Sequence, residues 1–463
     1  MSAISLPNEI FKAYDIRGIV DQTLTSDTVR LIGQALGALA RERHCSTIVV
    51  GRDGRLSGPK LSAALIEGVI ASGVDVIDIG MVATPMVYFA AHHLETRCGV
   101  MITGSHNPPD YNGLKMVIGG ETLSGETIQQ LRTRIEQKAY ATASTPGSVH
   151  QRDISVDYMA RIVDDIKLAR PMNIIVDAGN GVAGAFAPAL YQQLGCQITP
   201  LFCEVDGHFP NHHPDPSQPK NLATLIEKLQ TGNAELGLAF DGDGDRLGVV
   251  TRQGHIIYPD RQLMLFAADV LQRAPGATII YDIKSTRLLA PWIRQHGGKP
   301  LMWKTGHSLI KAKMKETGAQ LAGEMSGHTF FGERWYGFDD GLYAGARLLE
   351  ILSRHDDASA VLDNLPESIS TPELAIACAR EGEQHEIIAR LQQEASFPEA
   401  REVIHIDGVR AEYADGFGLA RASNTTPTIV LRFEADNEEA LKRIQRDFAA
   451  QLKKVAPNIV LPE

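Results

Sequence analysis

Short apolar runs alternate with amphipathic helical patterns along most of the chain. Alternation of this kind predicts an α/β fold built on largely parallel sheets, because each helix carries the chain back to start the next strand. The predicted strands are residues 47–51, 74–79, 99–103, 173–177, 197–202, 236–240, 278–282, 300–303 and 319–322. The clearest helical patterns are residues 26–41, 60–72 and 221–230.

The pattern changes in the last part of the chain. A helix is followed there by strands around 403–406 and 427–433, and then by a helix over 437–455. This order is typical of a separate α+β unit. Two stretches of small and polar residues, 139–152 and 353–372, have the composition of linkers.

Three polar loops that contain glycine follow apolar strands and form a loose internal repeat. They are residues 103–108, 241–246 and 323–328. In α/β sheets, ligands bind beyond the carboxyl ends of the strands. We therefore expect three similar units whose loops line one cleft.

Composition narrows the possibilities without identifying a function. The chain has 463 residues, 44% of them hydrophobic, and 45 Lys and Arg against 56 Asp and Glu give a net charge of −11. The length suggests three or four domains. The acidic balance argues against binding of nucleic acid or of anionic membranes, and mildly against anionic small ligands.

The N-terminus and the cysteines indicate a cytoplasmic protein. The first residues lack the pattern of a signal peptide, and no apolar stretch approaches the length of a membrane span. An odd number of cysteines without a CxxC pair fits reduced thiols in the cytosol. The cysteines are Cys45, Cys98, Cys196, Cys203 and Cys378.

Residues 179–184 match the GxGxxG fingerprint of dinucleotide-binding folds. They follow the predicted strand 173–177, and Glu204 lies about 20 residues further on, as the fingerprint requires. Glycines also make tight strand-to-helix turns in any α/β unit, and the residues after Glu204 have the composition of a long loop. An oxidoreductase that uses NAD stays open as an alternative.

The sequence Asp-Gly-Asp-Gly-Asp-Arg at 241–246 is the strongest local signal. Three carboxylates at alternate positions can converge on one hard cation, and a site without Cys or His favours Mg²⁺. An EF-hand is excluded because Arg246 and Arg252 occupy its glycine and glutamate positions. Arg246 is placed to hold an anion beside the metal. The alternative is an acidic surface turn.

Ser105 lies directly after a predicted strand, between Gly104 and His106. A serine hydroxyl needs a base or a metal to act as a nucleophile. The chain has neither the GxSxG elbow of hydrolases nor a Walker A motif. A serine near a metal site and an arginine suggests phosphoryl transfer. The alternative is a turn without chemistry.

Two further loops carry weaker signals. Glu324 and Ser326 lie two positions apart and have the donor and acceptor groups to hold neighbouring sugar hydroxyls. Arg421 is followed by a run of hydroxyl and amide side chains, a composition that suits a phosphate. Either loop is also consistent with a solvated turn.

Together these motifs resemble the α-D-phosphohexomutase superfamily, and within it the bacterial members that act on both mannose and glucose phosphates. The resemblance covers essentially the whole chain, and its motifs occur in the family's order. They are KAYDIRG (12–18), TGSHNPPDYNGLK (103–115), DGDGDR (241–246), GEMSGH (323–328) and RASNTTP (421–427).

The resemblance implies three related α/β domains with mixed sheets and a C-terminal α+β domain, arranged around a central active-site cleft. Each domain would contribute one loop to the cleft. In chain order, the four loops would carry the phosphoserine, bind Mg²⁺, bind the sugar and bind the phosphate. We place the domains at residues 1–150, 151–253, 254–366 and 367–463. In this arrangement residues 179–184 resemble a structural turn of the second domain.

The resemblance also implies a role for each matching residue. Ser105 would be the phosphoserine, and one of its phosphate oxygens would bind Mg²⁺ together with Asp241, Asp243 and Asp245. Residues expected to act in catalysis beside Ser105 are His106, Lys115, Arg17, Arg246 and His307. Residues expected to bind the substrate are Tyr14, Lys284, His307, Glu324, Met325, Ser326, Gly327, His328, Arg421, Ser423, Asn424 and Thr425.

The implied reaction is reversible phosphoryl transfer between C6 and C1 of mannose and glucose phosphates. It would pass through a hexose 1,6-bisphosphate, with glucose or mannose 1,6-bisphosphate as activator, in a monomeric cytoplasmic isomerase of carbohydrate metabolism. The negative net charge does not oppose this function, because the cationic residues would be gathered in the cleft. The alternatives are a phosphoglucosamine mutase and a non-catalytic protein that binds a sugar phosphate or a divalent metal.

Overall fold

The structure is a computed structural model that describes residues 6–140, 142–424 and 426–460. Within these ranges the strands form four sheets that follow one another along the chain. The first three sheets are mixed and carry helices, whereas the strand pairs of the fourth are antiparallel. The predicted fold class is therefore confirmed.

Domain I contains β1 (Ile16–Ile19), α1 (Ser26–Glu42), β2 (Thr47–Arg52), α2 (Gly58–Ala71), β3 (Asp75–Met81), α3 (Thr84–His93), β4 (Gly99–Ile102), β5 (Tyr111–Ile118), β6 (Glu121–Thr122), α4 (Glu126–Glu136) and β7 (Val149–Gln151). Its sheet has the order β1-β5-β4-β2-β3-β7, and β6 pairs with β5. Strands β2, β3 and β4 are parallel, and β5 runs antiparallel to β4.

Domain II contains α5 (Ser155–Asp165), β8 (Asn173–Asp177), α6 (Ala187–Gln193), β9 (Gln197–Leu201), α7 (Ala223–Thr231), β10 (Leu236–Phe240), β11 (Leu247–Thr251) and β12 (Ile256–Ile257). Its sheet has the order β12-β11-β10-β8-β9. All residues of the central strand β10 are buried, as expected of a strand covered on both faces.

Domain III contains α8 (Pro259–Arg273), β13 (Thr278–Asp282), α9 (Leu289–Gln295), β14 (Lys299–Trp303), α10 (His307–Thr317), β15 (Leu321–Gly323), β16 (Thr329–Phe331), α11 (Gly341–Leu352) and α12 (Ala358–Asp363). Its sheet has the order β14-β13-β15-β16. Domains I, II and III thus share one arrangement, in which three parallel strands are followed by an antiparallel fourth beside the third.

Domain IV contains β17 (Ile369–Ser370), β18 (Leu374–Ala377), α13 (Glu383–Glu394), β19 (Glu402–Ile404), β20 (Val409–Glu412), β21 (Gly416–Ala422), β22 (Thr428–Ala435) and α14 (Glu438–Val455). Its sheet has the order β17-β22-β21-β20-β19, and β18 also pairs with β22. Helix α14 begins where the Asn437 side chain accepts the Ala440 N–H at 2.9 Å, a standard N-cap.

One hydrophobic core spans domains I, II and III, domain I has a second core of its own, and domain IV has a separate one. The shared core includes Phe89 of α3, Phe240 of β10 and Tyr343 of α11. The core of domain IV lies around Phe448 of α14. A small cluster that includes Ile283 and two residues of β21 joins domain IV to domain III. The first three domains are therefore packed together more extensively than the fourth.

Some regular structure was not predicted from the sequence. Strand β5 lies within a motif interpreted as a loop, and β20 and β21 were not predicted at all. These strands carry glycines and buried polar residues, such as Asn112 and Arg410, so they lack a continuous apolar pattern. Both predicted linkers also contain regular elements, namely β7 in the first and α12 and β17 in the second.

None of the helices in the described ranges combines the length and the apolar character that a bilayer crossing requires.

Candidate active site

The three loops of the internal repeat occupy equivalent positions in their domains. The Ser loop (residues 103–110) joins β4 to β5, the Asp loop (241–246) joins β10 to β11, and the Glu loop (324–328) joins β15 to β16. Each leaves the carboxyl end of a parallel strand and enters an antiparallel neighbour. The loops are in contact, since the Ser105 hydroxyl donates to Asp241 at 2.8 Å, and the N–H of Leu247, directly after the Asp loop, donates to the Gly327 carbonyl at 3.2 Å. The three loops therefore meet, as predicted.

Ser105 is buried at the centre of the Ser loop, with 1% of its surface exposed. Its hydroxyl donates to Asp241 at 2.8 Å and lies 3.1 Å from Nδ1 of His106. Its main chain has φ +47°, which is uncommon for a residue with a side chain. Such a conformation persists only where the surroundings hold it, and the Ser105 N–H donates to Thr103 Oγ1 at 2.7 Å.

The Asp loop brings its three carboxylates together in the interior. Asp241, Asp243 and Asp245 are fully buried, and one oxygen of each lies within 4.8 Å of the others. Among the described residues, Oδ1 of Asp243 has no hydrogen-bond partner. Carboxylate donors with an unpartnered buried oxygen suit a hard divalent cation. The residues present therefore fit the predicted Mg²⁺.

Lys115 of β5 supplies a buried positive charge to this cluster. Its Nζ lies 2.7 Å from Asp243 and also contacts Asp245. Burial by itself would lower the pKa of Lys115, but the charges of Asp243 and Asp245 outweigh burial and raise it above its ordinary value. Burial and the charge of Asp245 raise the pKa of Asp243. The positive charge of Lys115 outweighs them and holds the pKa of Asp243 below its ordinary value. Burial and the other two carboxylates raise the pKa of Asp241.

His328 and His307 are neighbours with opposite electrostatic surroundings. The ring of His328 lies 2.9 Å from Glu324 and 3.3 Å from Asp245, and these carboxylates outweigh burial and raise the pKa of His328 to about 9. Burial, with Lys311 next in effect, lowers the pKa of His307 well below its usual range. At neutral pH His328 is therefore charged and His307 is neutral.

The Glu loop holds its functional groups through main-chain contacts. Glu324 is 2% exposed and accepts the Gly306 N–H at 2.5 Å. The hydroxyl of Ser326 lies 3.0 Å from Nδ1 of His328. The Met325 N–H donates to Asp282 at 3.2 Å. The groups predicted to bind the sugar are thus presented from a loop whose backbone is fixed to domain III.

Arg246, Arg17 and His106 complete the group predicted around the Ser and Asp loops. The Arg246 N–H donates to Asp241 at 3.2 Å, and its Nε lies 3.2 Å from Nε2 of His328. Arg17 donates to the Gly104 carbonyl at 2.9 Å. Burial, then Arg246 and Arg17, lowers the pKa of His106 well below its usual range.

The fourth loop meets domains I and III at the other side of the cleft. Arg421 is buried and donates to Asp407 at 3.0 Å. The Asn424 amide donates to the Tyr14 hydroxyl, which itself donates to the Thr305 carbonyl at 2.6 Å. Three domains therefore meet around one tyrosine.

The remaining predicted phosphate-binding residues lie near by or outside the described residues. Lys284 donates to Glu373 at 2.6 Å. The hydroxyl of Ser423 lies 3.0 Å from that of Thr426. Thr425, which was also predicted to bind phosphate, lies outside the described residues.

Several residues that hold the Ser and Asp loops were missed by the sequence reasoning. Thr84 and Thr103 of domain I donate to Asp243 of domain II at 2.5 and 3.1 Å. Asp53 accepts the Thr103 hydroxyl at 2.8 Å, and Arg55 donates to the Ser105 carbonyl at 2.8 Å. Asp53 and Arg55 follow strand β2, so their place after a parallel strand was an available signal.

A second missed group pairs with the predicted cations. Asp407 and Glu373 accept from Arg421 and Lys284, and Asp339 binds Lys311 at 2.7 Å. These carboxylates are distant in sequence from the cations they neutralise. No local pattern identifies them.

The dinucleotide fingerprint at 179–184 is a packing feature. A Cβ on Gly181 would lie 2.9 Å from Cα of Gly242, and one on Gly184 would lie 2.2 Å from the Cys203 carbonyl oxygen. The Val182 N–H donates to the Gly242 carbonyl at 3.1 Å. The glycines therefore let this turn lie directly against the Asp loop, which accounts for the pattern without a nucleotide.

Family models cover most of the chain. The model described as "Phosphoglucomutase/phosphomannomutase, alpha/beta/alpha domain I" matches residues 8–142. The models for domains II and III and for the C-terminal domain match residues 156–254, 258–369 and 373–451. The matches follow one another in the order of the four sheets.

Similar proteins match over almost the full length. A phosphoglucomutase of Neisseria meningitidis is 61% identical over 458 residues, with 99% of each chain covered. A phosphomannomutase/phosphoglucomutase of Pseudomonas aeruginosa is 58% identical over 463 residues, again with 99% of each chain covered. A crystal structure of a phosphoglucomutase/phosphomannomutase family protein from Burkholderia thailandensis is 56% identical, has a TM-score of 0.94, and covers 99% of this chain and 100% of its own.

Proposed function

The chain belongs to the phosphoglucomutase/phosphomannomutase family, and we propose how its residues perform the hexose-phosphate interconversion of that family. The chain is a mutase, an isomerase of carbohydrate metabolism. The proposed reaction moves a phosphoryl group reversibly between C6 and C1 of glucose and mannose phosphates. The observation that carries the proposal is the contact of the buried Ser105 hydroxyl with the Asp loop, beside the Glu loop.

Ser105 carries the phosphoryl group. In the transfer the bond between phosphorus and Oγ of Ser105 breaks as the free hydroxyl oxygen of a hexose monophosphate bonds to that phosphorus. The hydroxyl gives its proton to a base and Oγ of Ser105 takes up a proton, so the bound product is a hexose 1,6-bisphosphate. The bisphosphate then turns end over end, and its other phosphate returns to Ser105. Glucose or mannose 1,6-bisphosphate supplied from outside would phosphorylate an enzyme that had lost its phosphate.

Asp241, Asp243 and Asp245 would hold the Mg²⁺ together with an oxygen of phosphorylated Ser105. When bound, the ion neutralises negative charge that spreads over the phosphoryl oxygens in the transition state. The protein prepares the site, because Lys115, Thr84 and Thr103 all bind Oδ2 of Asp243 and leave its Oδ1 unengaged among the described residues. Arg246 adds a fixed positive charge beside the site.

His307 is the strongest candidate to accept the hydroxyl proton. Its low pKa leaves it neutral, and its Nδ1 has no hydrogen-bond partner among the described residues. Lys115 has a raised pKa and is protonated in this arrangement, so it acts as a positive charge. Arg17 has the same electrostatic role because a guanidinium stays protonated in proteins. His106 lies within hydrogen-bond distance of the Ser105 hydroxyl and would orient it.

Glu324 and Ser326 grip the middle of the sugar ring, with Met325, Gly327 and His328 forming the rest of the loop. Glucose and mannose differ in configuration at C2. A grip on O3 and O4 therefore accepts both sugars, and it accepts them in either orientation of the bisphosphate. This supports activity on both hexoses from one loop.

The phosphate that does not react is held across domains III and IV. Arg421 and Lys284 supply positive charge, and Ser423, Asn424, Thr425 and Tyr14 supply neutral hydrogen bonds. These residues bind a phosphate group whether it is attached to C1 or to C6 of the sugar. They therefore serve both orientations of the bisphosphate.

The proposal includes a monomeric enzyme. It is supported by the contribution of all four domains of one chain to the site, through residues such as Ser105, Asp241, Glu324 and Arg421. The proposed cytoplasmic location is supported by the free state of the cysteines in the described residues.

Turnover of three substrates measured side by side tests the proposed function. With Mg²⁺ and a trace of glucose 1,6-bisphosphate, we expect kcat/KM for glucose 1-phosphate and mannose 1-phosphate to agree to about tenfold. Glucosamine 6-phosphate should be a much poorer substrate. Preference for glucosamine 6-phosphate would identify a phosphoglucosamine mutase, and absence of turnover would leave only a binding protein.

Replacement of Glu324 tests the grip on the sugar. Glu324→Ala removes an anionic acceptor, and hydrogen bonds to charged groups are worth about 1.5–3 kcal/mol. We expect kcat/KM to fall about 10- to 100-fold for both sugars, while the control Glu316→Ala on the exposed end of α10 changes neither. If kcat/KM for both sugars stays unchanged in Glu324→Ala, the assigned grip is wrong.

A further inference from the structure

Arg55 is a buried arginine below the Ser loop that the proposed mechanism does not use. Only 2% of its surface is exposed. Its Nη1 donates to the carbonyls of Pro108 and Tyr111 at 2.6 and 2.9 Å, and its Nη2 donates to those of Ser105 and Asn107 at 2.8 and 2.6 Å. One guanidinium therefore binds three main-chain carbonyls of the Ser loop and that of Tyr111, the first residue of β5.

The surroundings of Arg55 fix its guanidinium against that loop. Its Nε lies 3.3 Å from Asp53, and the ring of Phe209 from domain II lies 5.3 Å from its central carbon. Asp53 holds the start of the same loop by accepting the Thr103 hydroxyl at 2.8 Å. At Gly104, a Cβ would lie 2.4 Å from Cζ of Arg55. The loop thus needs glycine where the guanidinium approaches.

The carbonyl of Ser105 is one of the four that Arg55 binds. Ser105 has a left-handed main chain, with φ +47°, and a change at that residue would turn its hydroxyl away from Asp241. A planar guanidinium offers several donors in a rigid fork, whereas an ammonium is a point charge on a flexible stem. Lysine at this position could not bind four carbonyls at once.

We propose that Arg55 is a positioning residue for phosphoryl transfer, which holds the Ser105 main chain so that the hydroxyl faces the Asp loop. The proposal rests on the proposed function of Ser105 as the phosphate carrier. It predicts a loss in the transfer step and not in sugar-phosphate binding, because the groups proposed to bind sugar and distal phosphate are Tyr14 and residues of domains III and IV, whereas Arg55 donates to the Ser loop and to Tyr111. A misplaced reacting group costs roughly 100-fold in rate per ångström.

Arg55→Lys and the matched control Arg347→Lys separate positioning from stability. Arg347 is also fully buried, lies over the Phe331 ring and pairs with Glu333, but it belongs to α11 and does not contact the Ser loop. For Arg55→Lys we expect kcat to fall roughly 100-fold, with KM for glucose 1-phosphate changed by less than about threefold. The rate of Ser105 phosphorylation by glucose 1,6-bisphosphate should fall in parallel. Arg347→Lys should lower Tm and retain kcat.

Two results would overturn the proposal. One is an unchanged kcat in folded Arg55→Lys, and the other is a combined loss in kcat and KM that Arg347→Lys reproduces. If Arg55→Lys does not fold, Phe209→Leu decides, since it weakens the support of the guanidinium and keeps its charge. We expect roughly a threefold lower kcat at constant KM, and an unchanged kcat in Phe209→Leu would then refute the positioning role.

Hydrogen exchange distinguishes failure of this proposal from failure of the proposed function. If the wild-type protein showed no mutase activity, the proposed function would be wrong. Amide exchange in peptides covering residues 103–111 would still decide the role of Arg55. Faster exchange there in Arg55→Lys, but not in Arg347→Lys, supports the positioning role, and equal exchange in both variants contradicts it.

Discussion

The two sides of the cleft are held in different ways. On the side of the Ser and Asp loops, Asp243 alone accepts from three residues of domain I, and domains I, II and III share one hydrophobic core. On the side of domain IV, the contacts to the rest of the protein include a hydrogen bond from Asn424 to Tyr14 and an ion pair between Lys284 and Glu373. The first side is built into the core, and the second is joined across an interface.

This difference matches the tasks proposed for the two sides. The proposed transfer between Ser105 and a sugar hydroxyl requires exact placement, which a packed and hydrogen-bonded loop provides. In the same proposal, the distal phosphate is released and bound again while the bisphosphate turns. There Arg421 and Lys284 are paired with carboxylates that a phosphate can replace as their anionic partner. Ion pairs that can be exchanged suit that second task.

Loss of the Ser105 hydroxyl is the largest expected effect and tests whether chemistry resides on the packed side. In Ser105→Ala we expect kcat to fall at least about 10⁴-fold, because the residue that carries the phosphoryl group is gone. Enzyme assays and intact-mass measurement of bound phosphate check this. The control Ser72→Ala removes a buried hydroxyl that donates within domain I to Val69 and should keep full activity. Stoichiometric phosphate on Ser105→Ala would contradict the assignment.

An intermediate effect is expected where domain I supports the Asp loop. Thr84→Val removes the donor that binds Asp243 at 2.5 Å, and loss of such a partner of a metal ligand typically weakens metal affinity about 10- to 100-fold. Isothermal titration calorimetry with Mn²⁺ measures the Kd of the metal directly. Thr231→Val, at the end of α7, serves as the control. Equal Kd values in the wild type and Thr84→Val would show that the contact from domain I to Asp243 does not contribute to metal binding.

The smallest effect is expected on the domain IV side. Arg421→Lys keeps the charge but loses the fork that binds phosphate through two donors. We expect KM for glucose 1-phosphate to rise about tenfold with little change in kcat. Arg443→Lys, which alters a partly exposed ion pair with Asp415 in the same domain, is the control. If kcat of Arg421→Lys falls by as large a factor as KM rises, the two sides of the cleft do not divide transfer from phosphate binding.

Much of the site was predictable because its residues sit in contiguous motifs. Ser105, the three aspartates and Glu324 all lie in loops that follow an apolar strand, and the carboxyl ends of parallel strands are where α/β sheets bind ligands. The sequence also indicated the repeat, since the same order of strand and polar loop recurs in three domains. Strands β5 and β21 were missed because glycine and buried charged side chains interrupt their apolar pattern.

The supporting residues were not predictable in the same way. Arg55, Thr84 and Asp407 act on groups that lie far away in the chain, so no spacing marks them. Their partners are the Ser105 carbonyl, the Asp243 carboxylate and the Arg421 guanidinium, each in another segment of the chain. Protonation was not predictable either. The sequence could not order Lys115 and His307 as proton acceptors, because burial and neighbouring charges set their pKa values.

The sequence by itself determined the α/β class, the repeat, the family and the chemical groups of the site. These follow from local periodicity and from short motifs, which neighbouring residues along the chain specify. Only the tertiary structure decided which carboxylate each cation neutralises, which histidine is charged and what holds Ser105 in its left-handed conformation. Those properties depend on distances of a few ångströms between residues of different segments and, in part, of different domains, and the free energies of desolvation and charge pairing arise only when the chain is folded.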